Sequence, residues 1–309
     1  MYTKRFKYIC TLSQINLKKF VYHELKKTHD DIVWHDGFIY AKGTFPVLLV
    51  AHLDTVHAHL PRKIYNADGK MFSPDGIGGD DRCGVYLILE LIKKYNCSVV
   101  FCEDEEIGGK GAEMFANYFI EHRWNDIDDI KYIVELDRKG NNDAVFYDCD
   151  NDEFTDFITH DYFKTSYGTF SDISYIAPML SVAAVNLSCG YYNAHTTSEY
   201  VVMHDVDTIY NEVCKLFDRT DLSVQFEYVE REYPKSWERY DRLDYGAYGD
   251  YTNYYDEDDE HYYTIEYKKD GHIEYDCIIA DNIEVCLGKF MVDHPSVCYN
   301  DITDIIKEC

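Results

Sequence analysis

The 309-residue sequence lacks the features that define several large classes of protein. It has no run of about 18 apolar residues, as a transmembrane helix would require. Its first residues, MYTKRFKYICTLSQ, lack the apolar core of a signal peptide. No local cluster of basic residues offsets the net charge of −27. We therefore expect no association with a membrane and no binding of nucleic acid.

The sequence also lacks paired cysteine motifs. It has eleven cysteines, an odd number, and they are scattered singly without any CxxC pair. This pattern argues against a disulfide framework and against a zinc site built from cysteines. We expect reduced thiols and a cytoplasmic protein.

What the sequence does contain is an alternation of strand-like and helix-like segments over its first two thirds. Continuous apolar runs predict buried strands at 47–53, 98–102, 131–136 and 181–188, and periodic patterns predict helices at 13–27, 82–95, 110–121 and 203–219. Such alternation predicts an α/β fold with a doubly wound, mostly parallel sheet and helices on both faces. We assign residues 1–222 to this domain.

The composition changes after residue 222. Residues 223–263 are rich in tyrosine and acidic residues and predict an arm or linker, either a mobile tether or, as we favour, a segment packed on the first domain. Residues 264–309 contain short strand-like runs such as YTIEY and predict a small C-terminal β-rich module that ends in a helix.

Potential metal ligands lie at the ends of the predicted strands. They are His52 and Asp54, Asp80 and Asp81, Glu105 and Glu106, Asp137, and His195. Each alone is more often a solvated loop residue than a ligand, but strand ends in a doubly wound sheet meet at one edge. Nitrogen and oxygen ligands without thiolate suit Zn²⁺, Co²⁺ or Mn²⁺, and two ions need a bridging carboxylate. Since neighbours on a strand point apart, Glu105 and Glu106 could serve one site in two roles.

The order HxD, GGDD, DEEIG, ELD and AHT resembles the two-zinc exopeptidase superfamily, which includes bacterial leucyl aminopeptidase, peptidase T and the carboxypeptidase G type. The resemblance covers residues 1–220. It implies that His52 and Asp137 bind one metal ion, that Glu106 and His195 bind the other, and that Asp80 bridges them. A cis peptide would join Asp80 to Asp81. Asp54 would orient His52, and Glu105 would be the general base for a metal-bridging hydroxide.

The spacing of the motifs distinguishes among the members of this superfamily. Only 28 positions separate His52 from Asp80, and 58 separate Asp137 from His195, which leaves no room for an inserted lid or dimerisation domain. The resemblance is therefore to the compact aminopeptidases. Tyr167, Tyr191 or Tyr192 would then have to supply an oxyanion donor, unless these tyrosines only pack.

Two further features remain open. Arg138 follows a predicted ligand and could hold a substrate carboxylate or neutralise the acidic edge of the sheet. His57 and His59 follow the HLD motif, and we predict that both are solvated.

Taken together, the residues and the resemblance predict a metallo-exopeptidase that acts on small peptides. It would carry two divalent ions, zinc in the first place, with cobalt or manganese as alternatives, and could form a homo-oligomer. Two alternatives stay open: an N-acyl-amino-acid amidohydrolase on the same metal core, and an inactive scaffold protein that uses the tyrosine-rich arm.

Overall fold

The computed structural model describes residues 2–221, 223–231, 261–269, 272–280, 290, 294 and 302–307. The chain divides into two compact units, Met1–Pro234 and Lys235–Cys309. All the side chains singled out by their chemistry lie in the first unit.

The described helices include all four that the sequence predicts for residues 1–222. They are α1 (Tyr2–Cys10), α2 (Gln14–Leu25), α3 (Gly79–Leu91), α4 (Lys110–His122), α5 (Asp152–Thr159), α6 (Ile173–Leu180) and α7 (Met203–Asp218), with a 3₁₀ helix at Trp124–Asp129. The predicted helices correspond to α2, α3, α4 and α7, and their ends agree within a few residues.

The four predicted strands are also present. The described strands are β1 (Asp31–Trp34), β2 (Phe38–Lys42), β3 (Phe45–His52), β4 (Tyr65–Ala67), β5 (Lys70–Phe72), β6 (Cys97–Cys102), β7 (Tyr132–Arg138), β8 (Asp143–Val145), β9 (Lys164–Thr165), β10 (Ala184–Ser188), β11 (Tyr191–Tyr192), β12 (Tyr200–Val202), β13 (His261–Lys269), β14 (His272–Ala280) and β15 (Ile302–Lys307). The predicted strands are β3, β6, β7 and β10.

The first unit is built on an eight-stranded sheet in the order β1-β2-β6-β3-β7-β10-β8-β9. The central strands β6, β3, β7 and β10 are parallel, whereas β2 pairs with β6 and β8 pairs with β10 in antiparallel fashion. The carboxyl ends of β3, β6 and β7 therefore lie together at one edge, which is where the candidate site forms.

Strand β3 shows why the sheet is covered on both faces. Its residues Val47, Leu49 and Ala51 belong to a core layer that includes buried residues of α1, α2, α3 and α7. Its alternate residues Leu48 and Val50 belong to a second layer, formed mainly with α4 and α6. Because successive side chains of a strand point to opposite faces, an unbroken apolar run satisfies both layers. The predicted α/β fold class is confirmed.

A second, smaller sheet in the order β11-β12-β5-β4 lies beside the start of α3. Its buried residues Met71, Tyr191 and Val201 join the core layer of α3. This sheet supports the segment that runs from Tyr191 to Tyr200, which includes His195.

Residues 223–231, which we assigned to the arm, belong to the first unit and bond to other parts of it. The backbone of Phe226 pairs with Lys131 and Ala183, and Arg231 donates to the carbonyl of Asp148 at 2.9 Å. The Phe226 ring lies 5.2 Å from Phe154 and 5.3 Å from Phe157. Residues 232–260 of the arm lie outside the described residues.

The described part of the second unit is a three-stranded antiparallel sheet in the order β14-β13-β15. The prediction of a final helix is wrong at residues 302–307, which form β15. The spacing of Ile302, Ile305 and Ile306 also fits a helix, but β-branched residues that pair along β13 favour the strand.

Every cysteine between residues 2 and 231 is a free thiol buried in the first unit. Burial raises the pKa of Cys83 to about 11 and the pKa of Cys97 further. Within the described residues, no helix combines the length and the apolar character that a membrane span needs.

Candidate metal centre

Asp80 lies between two histidines and presents one carboxylate oxygen to each. Its Oδ1 atom is 3.0 Å from Nε2 of His52, and its Oδ2 atom is 3.2 Å from Nε2 of His195. His52 is the last residue of β3 and is buried, whereas the His195 side chain is 55% exposed. A carboxylate in this position can bridge two groups of ligands.

One further carboxylate completes each group. Oδ1 of Asp137, near the end of β7, is 3.4 Å from Nε2 of His52. Oε2 of Glu106, in the loop after β6, is 3.1 Å from Nε2 of His195. The structure thus brings together all five residues for which the resemblance implies a ligand role, in two sets that share Asp80.

Asp81 also lies within this region, but both oxygens of its carboxylate accept hydrogen bonds from backbone N–H groups. One ligand atom each from His52, Asp81 and Asp137 lie within 4.8 Å of one another, as do atoms of His52, Asp80 and Glu106. However, Oδ2 of Asp81 accepts from the N–H of His52 at 3.2 Å, and Oδ1 accepts from the N–H of Gly84 at 2.8 Å. We therefore regard Asp80 as the shared carboxylate. The peptide bond between Asp80 and Asp81 is cis.

Asp54 connects His52 to the loop that carries the two glutamates. Its Oδ1 atom is 3.2 Å from Nδ1 of His52 and accepts from the N–H of Glu105 at 3.1 Å. Its Oδ2 atom accepts from the N–H of Glu106 at 3.0 Å. These contacts fix the imidazole with Nε2 towards Asp80, as partners of metal-ligating histidines commonly do.

Glu105 and Glu106 do not lie on a strand, contrary to the premise from which we argued. Strand β6 ends at Cys102, and both glutamates lie in a turn after Asp104, whose φ is +62°. The positions of the two glutamates are set by this turn and by the hydrogen bonds from both of their N–H groups to Asp54. Burial raises the pKa of Glu105 to about 9, and the charges of Asp137 and Asp172 add to the effect against the opposing charge of His52.

Burial and the neighbouring charges shift the pKa values of several groups in this cluster. Burial lowers the pKa of His52, but Asp137, Asp54 and Asp80 outweigh it and raise the pKa well above the usual range. Hydrogen bonds that His195 donates to Asp80 and Glu106 raise the pKa of its imidazole to about 11. Burial and the charge of Asp80 raise the pKa of Asp137 to about 6.

These residues fit a divalent cation. Among the described residues, Oε1 of Glu106 is buried without a hydrogen-bond partner, while its Oε2 faces His195. A buried unpaired carboxylate oxygen is costly, and a cation relieves that cost. Imidazole and carboxylate donors without thiolate suit Zn²⁺ and similar ions.

The four residues predicted to contact substrate occupy different environments. Arg138 is engaged: Nε lies 3.3 Å from Asp143 and Nη2 donates to the carbonyl of Tyr167 at 3.0 Å. The Tyr167 side chain is exposed. Tyr191 is buried and donates to the carbonyl of Asp137 at 2.9 Å. Tyr192 donates to Asp205 at 2.5 Å and stacks on Tyr200, so its hydroxyl is turned to α7.

Sequence reasoning missed a set of residues that support Asp137. The N–H of Asp137 donates to Oδ1 of Asn186 at 3.0 Å, and Ser171 Oγ donates to Oδ2 of Asp137 at 3.3 Å. Asn186 lies on β10, and no motif marks it. The buried Asp172 follows Ser171, and burial raises the pKa of its carboxyl to about 7.

Glu199 was missed as well, and the prediction for His57 is wrong. Nε2 of His57 lies 2.8 Å from Oε2 of Glu199, and the His57 side chain is only 10% exposed. Glu199 is fully buried and also accepts hydrogen bonds from the backbone N–H groups of Gly78 and Asp80, at the start of α3. In the sequence, its position four residues after the predicted ligand His195 could have drawn attention to Glu199. His59 is exposed, as predicted.

Comparison with known proteins supports the fold. No protein-family profile and no curated protein sequence match the chain. Among solved structures, the chain is similar to aminopeptidase PepT from Bacillus cereus (TM-score 0.58, 13% identity, 70% of this chain and 97% of that one). It is also similar to a tripeptidase from Staphylococcus aureus, with a TM-score of 0.53 and 12% identity over 70% of this chain and 96% of that one. A third similar structure is the dodecamer PhTET1-12s, with a TM-score of 0.52 and 13% identity over 68% of this chain and 97% of that one. At 12–13% identity these similarities show that the chain shares the fold of these solved structures.

Proposed function

We infer that this chain, whose first unit has the fold of metal-dependent exopeptidases, is itself a dinuclear metallo-exopeptidase that acts on small peptides. The observation that carries the proposal is the position of Asp80 between His52 and His195, with one carboxylate oxygen facing each ring. Two sets of ligands that share a carboxylate provide two cation positions rather than one.

We propose that His52, Asp80 and Asp137 hold one divalent ion and that His195, Asp80 and Glu106 hold the other. Such ions, when bound, polarise a scissile carbonyl and lower the pKa of a water molecule. Zinc is our first choice because the donors are imidazole and carboxylate, with cobalt and manganese as alternatives.

Glu105 is the proposed general base. It lies in the loop held by Asp54, beside Glu106, and the charges of His52 and Asp137 act on its carboxyl group. The positive charge of bound ions would lower the pKa that burial raises. In this role the carboxylate of Glu105 accepts a proton from the attacking water and returns it to the leaving amine. Asp54 is a positioning residue, because it holds both the His52 ring and the Glu105 backbone.

The surroundings refine the predicted contacts with substrate. The half-exposed His195 marks the side from which a peptide approaches. Tyr167 is exposed and remains our candidate for contact with the peptide. Since Arg138, Tyr191 and Tyr192 are engaged with protein groups, we propose that they support the site rather than bind the substrate.

Two statements about the protein as a whole stay predictions. The buried free thiols of the first unit support a reducing, cytoplasmic environment. A dodecamer forms in the similar structure PhTET1-12s, and a homo-oligomer of this chain is tested by light scattering of the purified protein.

A hydrolysis screen tests the proposed activity. The full chain is loaded with Zn²⁺, Co²⁺ or Mn²⁺ and offered aminoacyl amides, dipeptides and tripeptides, each with a free or an acetylated N-terminus. We expect metal-dependent cleavage of the free-amine substrates and none after acetylation. A preference for the acetylated substrates would replace this proposal with the N-acyl-amino-acid amidohydrolase.

The same screen addresses the inactive scaffold. The control is Glu105→Gln, which keeps the ligands but removes the base. If the metal-loaded wild type and this variant were equally inactive on every substrate, the scaffold alternative would be favoured.

A further inference from the structure

We propose that Glu199 is a positioning residue that secures the second ion, by fastening the loop of His195 to the turn that carries Asp80. This inference rests on the proposed function and names the residue on which one half of the metal centre depends. Glu199 lies four positions after His195 and is fully buried. Its N–H donates to the carbonyl of Thr196 at 3.2 Å, so both residues belong to one tight turn.

Both oxygens of the Glu199 carboxylate accept hydrogen bonds from the backbone at the start of α3. Oε1 accepts from the N–H of Asp80 at 2.9 Å, and Oε2 accepts from the N–H of Gly78 at 2.8 Å. The carboxylate thus grips the backbone of the shared ligand itself. The backbone at Gly79 approaches Glu199 closely, since a Cβ added at this glycine would lie 3.3 Å from Oε1 of Glu199 and 2.8 Å from Val201.

The two sets of ligands differ in how firmly the fold holds them. His52 and Asp137 lie on the central strands β3 and β7. His195 lies in a loop, with a φ of +63° and a side chain that is 55% exposed. A ligand in such a loop needs an anchor, and Glu199 provides a buried one from the same turn. Loss of Glu199 should therefore weaken the ion of His195 and Glu106 more than the ion of His52 and Asp137.

His57 completes this arrangement. Its Nε2 atom lies 2.8 Å from Oε2 of Glu199, and its N–H there is the third donor to the carboxylate. The ring is held against Gly76, whose φ is +81° and where an added Cβ would lie 2.3 Å from Cε1 of the ring. A carboxylate with three buried donors is fixed in one orientation.

The variant Glu199→Gln tests the proposal with little change of shape. Its amide N–H₂ must face backbone donors, so the buried turn loses its acceptor on one side. Metal-free full-length protein is titrated with Co²⁺ and followed by visible absorbance, and elemental analysis is performed after dialysis. We expect one of the two ions to bind about 10- to 100-fold more weakly, as is typical when an outer partner of a ligand is lost. The affinity for the other ion should change little.

Matched variants separate positioning from general damage. Thr197→Ala changes an exposed residue of the same turn and should bind both ions as the wild type does. His57→Leu removes the donor to Glu199 and should weaken the same ion as Glu199→Gln. His57→Gln keeps an amide donor and should restore most of that loss. The melting temperature of each metal-free variant is measured alongside.

The outcomes decide the matter. Wild-type affinity for both ions in Glu199→Gln would overturn the proposal. Equal weakening of both ions, together with a lowered melting temperature, would also overturn it, since Glu199 would then be only structural. A wild type that binds fewer than two ions overturns it too. A wild type that binds two ions but cleaves no peptide contradicts the proposed function and leaves this inference in place.

Discussion

The Oδ2 atom of Asp54 accepts a hydrogen bond from the backbone N–H of Glu106 at 3.0 Å. One carboxylate thus holds the loop of one predicted ligand while its other oxygen faces the ring of another, His52. Asp54 therefore links the two halves of the centre, in addition to the shared Asp80.

The first prediction concerns Asp54. In Asp54→Asn the amide cannot serve both the ring of His52 and the two N–H groups of the loop. We expect about 10- to 100-fold weaker metal binding, measured by competition with a chelator. Asp75→Asn, in the loop between β5 and α3, is the control: Asp75 pairs with the exposed Arg62, and its loss should leave the affinity unchanged. Unaltered metal binding in Asp54→Asn would contradict the role given to this residue.

The second prediction separates Glu105 from Glu106. Glu105→Gln should retain both ions but lose turnover, because transfer of a proton by a positioned group contributes roughly 10²–10⁴-fold. Glu106→Gln should lose affinity for one ion, because its Oε2 faces His195. Metal content and kcat are measured on the same preparations. The opposite pattern, with metal lost from Glu105→Gln and activity regained on reloading, would reverse the two assignments.

The third prediction concerns pH and the ion pair between Arg123 and Asp31. Hydrogen bonding by Arg123 lowers the pKa of Asp31 below its ordinary value of 3.8. Because the pKa is lower in the folded state, the pair stabilises the fold at pH values above 3.8 and stops doing so as the pH falls through the folded pKa. Asp31→Asn should cost about 0.5–1 kcal/mol of unfolding free energy at pH 7.

Urea unfolding across pH checks this. The difference between the wild type and Asp31→Asn should disappear well below pH 3.8 and should shrink in high salt, which screens an exposed pair. The control is Asp129→Asn, since Asp129 is exposed and makes one contact with Lys42 at 3.4 Å. A difference that grows on acidification would show that another effect dominates.

The fourth prediction concerns Phe226, in the segment that follows α7. Its ring packs on Phe154 and Phe157. Phe226→Ala should lower the unfolding free energy of the first unit by about 2 kcal/mol, less than for a fully buried ring. Val229→Ala, three residues on and exposed, should cost less than about 0.5 kcal/mol. If both variants unfolded like the wild type, residues 223–231 would contribute nothing to the stability of this unit.

The central sheet could be predicted because its strands are short, continuous apolar runs, as buried parallel strands are. Strand β3 is an example, and helix α3 was likewise identified from its own pattern within a few residues. Helices α1, α5 and α6 were not predicted. They are only eight or nine residues long, so their patterns repeat too few times to stand out.

The site was predictable where residue type and order carry the information. The five predicted ligands lie at strand ends, in the loops after strands or at the start of a helix, and their side chains meet as the order of motifs implied. They are His52, Asp80, Glu106, Asp137 and His195. Their supports were not predictable in the same way. Asn186 and Ser171 act through contacts set by the packing of β10 and the loop before α6, which no local pattern encodes.

The buried thiols of the first unit give each region its own reporter of transient opening. A small thiol reagent reaches a buried cysteine only when the surrounding structure opens, so the labelling rate measures local opening free energy. Cys102 is the last residue of β6, directly before the loop of Glu105 and Glu106, and Sγ of Cys189 lies 3.8 Å from Oδ1 of Asp81. Cys149 is more distant in sequence from every predicted ligand. Added metal should slow the labelling of Cys102 and Cys189 more than that of Cys149, which would map how far the stiffness of the centre extends into the domain.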